Sequence, residues 1–185
     1  MVRVAVREPW HLAIASRVEA EAGVLEGPAW TGTVAVAIDA PRLPRIELAG
    51  SYAAPRDVAT ELPGRVVRET FVSGAVSICP SIPLGQVRGS ACGSVRLGKL
   101  AWQGRGFEND LGGSALLPAL GVDLRAERAV TGRVAMYAVL GARLALRDVT
   151  LRYERSAAAG GGAIEVAGSE RGSVWLGLGV VVRAL

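Results

Sequence analysis

Lysine, histidine and cysteine are nearly missing from this sequence: Lys99 is the only lysine, His11 the only histidine, and Cys79 and Cys92 the only cysteines. One imidazole and no Cys-x-x-Cys spacing leave no donor set for zinc, so neither a metal nor a cofactor is expected. Aromatic residues make up 5% of the chain and the arginines are scattered, which denies it a basic face interleaved with stacking rings. Nucleic acid is excluded as a partner on that ground. No apolar run approaches the roughly 18 to 20 residues of a membrane-spanning helix, because charges recur throughout. Met1 to Glu8 holds Arg3, Arg7 and Glu8 with neither an apolar core nor a small-residue cleavage site. No secretory signal is legible there, and export would require a leader upstream. Also missing are a phosphate-cradling glycine loop, a nucleophile elbow and a paired-histidine motif. His11 and Ser16, five residues apart on one strand, point to opposite faces, so the chain is not expected to be an enzyme.

What is there is period two, the mark of strands with chemically different faces. Leu12, Ile14, Val18, Ala20 and Ala22 alternate with Ala13, Ala15, Arg17, Glu19 and Glu21. From Trp30 to Asp39, Trp, Gly, Val, Val and Ile on one parity oppose Thr31, Thr33, Ala35, Ala37 and Asp39 on the other. Arg45 to Tyr52 and Glu69 to Ile78 repeat the pattern as strands three and four. In a fifth strand, Val87 to Gln103, the alternation breaks at Lys99 and Leu100, and a bulge near Gly98 would repair it. Leu116 to Arg125 forms a sixth strand that Pro118 is expected to interrupt, with Leu117 on its polar side. Arg133 to Arg147 and Val174 to Arg183 complete a set of eight. The links Ala40 to Pro44 and Ala126 to Thr131 are tight, whereas Ala54 to Gly64, Gly104 to Gly113 and Asp148 to Gly172 are long. The last can extend its hairpin through Val149 to Tyr153 and Ile164 to Ala167, with Gly160 to Gly162 as a loop tip by composition. Long loops thus gather at one end. One domain, 1–185, is expected, with 1–10 as a tail outside it.

The polar parity is built from Ala, Gly, Ser and Thr punctuated by Arg, Glu and Asp, which suits the narrow interior of an eight-stranded barrel. The apolar parity carries Val, Leu and Ile with hardly a charge, and a Lys or Arg there would cost about 2 to 4 kcal/mol at a bilayer midplane. Arg68 and Lys99 must then lie near the rims. The expected fold is all-β: a closed, up-and-down, antiparallel, transmembrane β-barrel of eight strands. The formal charge of +4 comes almost wholly from arginine. Codon usage in a GC-rich genome is one reading of that bias; pairing of the planar fork with carboxylates in a confined space is the other. A lumen charge network follows from parity: Arg17, Glu19, Glu21, Arg45, Glu47, Glu69, Arg96, Asp123, Arg125, Arg143 and Arg183. Mutual ion pairing as a plug is favoured over a narrow ion path. Cys79 and Cys92 lie symmetrically about Leu84 and Gly85, so a hairpin centred there brings them opposite one another. A disulfide would close a loop of about 14 residues, contribute roughly 3 kcal/mol and imply an oxidising compartment. Two buried, inert thiols are the alternative.

In strand count, parity, loop asymmetry and a last strand that runs to the final residues, His11 to Leu185 resembles the small outer-membrane β-barrels, of the kind formed by the OmpA transmembrane domain and OmpX. Trp30, Tyr52, Trp102 and Tyr153 fall near strand ends, as girdle residues do. The resemblance implies a Gram-negative outer membrane, the lipid bilayer and the barrel assembly machinery as partners, a monomer, and a structural, adhesive or narrow, porin-like channel role. A soluble extracytoplasmic barrel or sandwich with an apolar ligand is the competing reading.

Overall fold

The structure, a computed structural model, describes residues 10–23, 27–40, 43–59, 64–106, 112–154, 163–168 and 171–184, and for 151–154 and 163–168 the backbone alone. Residues 1–9 of the expected tail, Gly160 to Gly162 and the Tyr153 side chain lie outside this description. The strands are β1 (His11–Ala22), β2 (Ala29–Asp39), β3 (Arg45–Ala59), β4 (Val66–Cys79), β5 (Ser81–Leu84), β6 (Val87–Arg105), β7 (Gly112–Ala129), β8 (Val134–Ala145), β9 (Thr150–Glu154), β10 (Ala163–Gly168) and β11 (Gly172–Arg183). Eight of them form a closed antiparallel wall, β1-β2-β3-β4-β6-β7-β8-β11, with β11 paired back onto β1. The short β5 prolongs β4 beyond Pro80 and turns at Gly85, whose φ of 65° suits a residue without Cβ, into β6. β9 and β10 pair only with each other, as the hairpin expected above β8 and β11.

Register fixes the shape. Leu12 pairs with Ile38, then Ile46, Ile78, Gly93, Val122, Ala142 and Val174 in turn, and Val174 pairs with Ala22. One circuit of the wall therefore climbs β1 from residue 12 to residue 22. With about 3.3 Å per residue and about 4.8 Å between strands, that offset tilts the strands by about 40° to the barrel axis. Calling the end with His11 the lower end, β1, β2, β8 and β11 stop at a common upper rim, where Glu21 faces Ala29 and Leu144 faces Gly172. The other four strands continue upward, through Val66 opposite Arg105 and Trp102 opposite Gly113. At about 2.5 Å of height per tilted residue, this half of the wall stands about 15 Å above the rest.

Four expectations are corrected. No bulge occurs at Gly98, where both ladders of β6 run in continuous register. The register shift lies instead between Ala53 and Arg56 of β3, at Pro55, which has no N–H to give. Pro118 does not interrupt β7: it faces Leu97 in the β6 ladder, and its carbonyl accepts from Leu146 N–H where β8 ends. Its missing N–H thus points to the same vacated side. Lastly, β3 and β7 run past their expected ends at Tyr52 and Arg125, to Ala59 and Ala129, because Pro55 costs only a shift and the β6 ladder holds β7 as far as Arg128.

Candidate functional site

The parity that turns arginines and carboxylates inward turns the aliphatic residues outward. Leu48, Val95 and Leu178 are each more than 60% exposed, as part of a belt that rings the wall from Leu12 below to Trp30 and Tyr52 above. That belt is about 25 Å tall, the height of the apolar band of membrane barrels. An exposed apolar surface of this extent belongs in lipid, and the soluble barrel with an apolar interior is overturned by it. Trp30 and Tyr52 sit on the outside as girdle residues, whereas Trp102 packs against an interior cluster.

Inside, Glu47 is fully buried and lies at the centre of the lower lumen. Its carboxylate receives Arg125 at 2.7 Å, Arg45 at 3.4 Å and Arg17 at 3.5 Å, from three different strands. Arg125 also holds Asp123 at 2.6 Å, and Arg17 holds Glu19 at 2.8 Å. Thr33 donates to Glu19 at 2.9 Å. Arg45 reaches Asp39 and Glu127, and Glu127 takes Arg183, which is half-buried at the lower mouth. Higher up, Glu21 accepts from Arg143 and from Ser173 at 3.0 Å. Arg143 and Arg96 both lie against the Trp175 ring, at 5.2 and 6.0 Å, and Arg96 donates to Ser73 at 3.2 Å. Gly141 makes the room for that ring: a Cβ there would stand 2.2 Å from it. Glu69 lies above the lumen with Arg56 at 3.6 Å, and Arg56 also donates to the Gly27 and Pro28 carbonyls.

Of the residues assigned by parity, Arg17, Glu19, Arg45, Glu47, Asp123, Arg125 and Arg183 thus form one connected network, Glu21 and Arg143 a second group, Arg96 a cation on Trp175, and Glu69 a pair with Arg56. Asp39 and Glu127 join the network, Asp39 also meeting Arg88 at 3.9 Å, and their inward parity beside Arg45 and Arg125 is the signal that could have found them. Arg56 carries no such signal, because the shift at Pro55 reverses the parity that follows it. Above these charges, Ala29, Ala53, Phe71, Leu100 and Leu117, from β2, β3, β4, β6 and β7, form a buried apolar cluster on the inner face, with Trp102 and Val149 packed on it. A cavity of about 10 Å³ beside Arg45, Arg125 and Tyr137 has room for about one water. The arrangement pairs buried charge across the lower lumen. Cys79 and Cys92 are disulfide-bonded, with Cα atoms 4.1 Å apart, and face the same lower lumen.

No protein-family model matches the chain, and no curated protein sequence matches it. Solved structures do. A major outer membrane protein from Thermus thermophilus is similar with a TM-score of 0.71 at 16% identity, over 96% of this chain and all of that one. Neisserial surface protein A gives 0.58 at 12% identity, over 94% and 96%. Ail, the attachment invasion locus protein of Yersinia pestis, gives 0.51 at 10% identity, over 95% and 97%. Likeness at these identities establishes architecture, and the architecture is that of the small eight-stranded outer-membrane β-barrels.

Proposed function

We propose that this chain is an integral outer-membrane barrel in which the lumen is a structural plug and the raised half of the wall, with the β9–β10 hairpin, is the adhesive surface. The observation that carries this reading is the pairing of buried charge by the Glu47 network in the lower lumen, with the apolar cluster of Phe71, Leu100 and Leu117 on the inner face above it. A rigid, closed cylinder contributes anchorage, so recognition falls to what stands above the bilayer. Ail bears an attachment role in its name on a barrel of this fold. The partners of this reading are the bilayer, the barrel assembly machinery for insertion, and a single copy of the chain, without catalysis.

Two measurements test it. Single cysteines at Val36, Leu144 and Leu178, in a Cys79→Ser, Cys92→Ser background, should be quenched from the lipid phase and resist a water-soluble thiol reagent. Aqueous labelling at all three would remove the membrane assignment. In planar bilayers the purified barrel should carry no steady current, and a stable open conductance would replace the plug by a channel.

A further inference from the structure

We infer that the Cys79–Cys92 bond is made before the barrel closes, by thiol–disulfide exchange on the β4–β5–β6 hairpin, and that the finished barrel is sealed against both its formation and its reduction. Both sulfurs face the lumen, and the two residues are 1% and 3% exposed. Exchange needs a thiolate to approach a sulfur along the S–S axis, so access matters as much as thiolate character. On the lumen side Cys79 itself borders a cavity of about 10 Å³, shared with Arg45, Ser90, Arg125, Glu127 and Tyr137, which admits about one water and nothing the size of a thiol reagent. On the other side the sulfurs have the wall itself, with Ile46 and Ile78 outward into lipid. A protein oxidant, or a tripeptide such as glutathione, has no route to either sulfur once β11 has paired with β1.

The hairpin by itself offers the opposite situation. Ile78 pairs with Gly93 and Ser81 with Ser90, so the turn at Gly85 and Gln86 sets Cys79 beside Cys92, 13 positions further along the chain. These contacts lie within one hairpin, and no other strand is needed to form them. The reactant this requires is a disulfide-bearing oxidant in the compartment the chain crosses before insertion. One cysteine thiolate attacks the oxidant's disulfide and expels one of its thiolates; the second cysteine thiolate then attacks the mixed disulfide and expels the other. The chain loses two electrons and two protons, and the oxidant leaves as a dithiol.

The full chain tests this in both directions, with oxidation read by the mass shift of a maleimide-polyethylene glycol. Reduced chain in urea should be oxidised readily by oxidised glutathione, whereas reduced chain first folded in detergent should keep both thiols until it is unfolded. Oxidation of the folded chain at the rate of the unfolded one would overturn the inference. If the reduced chain does not fold, the oxidised barrel in dithiothreitol serves instead. Its bond should be lost only at the rate of global unfolding, and faster loss would overturn the inference equally.

Discussion

The lower and upper parts of β6 follow one parity in two opposite chemistries. Below the rim, Arg96 points in and Val95 and Leu97 point out; above it, Leu100 points in and Lys99 points out. The same exchange occurs on β4, where Ser77 inward and Ile78 outward give way to Phe71 and Val67 inward and Arg68 outward. What changes between the two parts is the solvent. Where lipid surrounds the wall, the apolar side faces out and the enclosed side must satisfy polar groups by itself; where water surrounds it, the inner face becomes mainly apolar, with the Glu69–Arg56 ion pair set among Val67 and Phe71. A strand can therefore record the position of the membrane surface without any break in its backbone.

Substitutions on the two sides of that boundary can break the comparison. The largest effect is expected at Glu47→Ala, which strands Arg17, Arg45 and Arg125 around an empty position. Loss of one member of a buried ionic group costs about 3 to 5 kcal/mol, measurable as a shift of the urea midpoint of the detergent-folded barrel. Leu178→Arg, on the lipid face at mid-belt, should make insertion less favourable by about 2 to 4 kcal/mol in vesicle refolding. A neutral result there would deny that the lower wall lies in lipid. Leu100→Ala should cost about 2 to 3 kcal/mol by opening a void in the apolar cluster, although its neighbours Lys99 and Ala101 lie on the outside or rim of the same strand. Smallest of all, Lys99→Leu should change stability by less than about 1 kcal/mol, because the position already stands at or above the interface. A large gain from Lys99→Leu would place it inside the bilayer and move the boundary upward.

Much of this is legible in the sequence, since parity alone identifies eight wall strands and turns Glu47, Arg125 and their partners inward. The swap at Lys99 and Leu100 is legible as an irregularity but reads as a bulge at Gly98, because a change of surroundings and a change of register disturb an alternation in the same way. Trp102 suffers the same confusion: its place near a strand end matches a girdle, but the strand continues beyond the belt and its parity turns the ring inward. Pro55 and Pro118 look alike in sequence. They differ in structure because β3 shifts register at the first whereas the β6–β7 ladder runs on through the second, and that depends on pairings made elsewhere in the chain. Trp175 against Gly141 is likewise a relation between β11 and β8 that neither segment announces.

The raised half of the wall gives the molecule a heading. A cylinder of even height can spin about the membrane normal and offer every neighbour the same outline, but here β3, β4, β6 and β7 tower over β1, β2, β8 and β11. A neighbour on the tall side meets a wall that rises past the belt, and one on the other side meets the β9–β10 hairpin carried between β8 and β11. Rotation about the membrane normal therefore decides which of the two outlines a neighbouring protein meets.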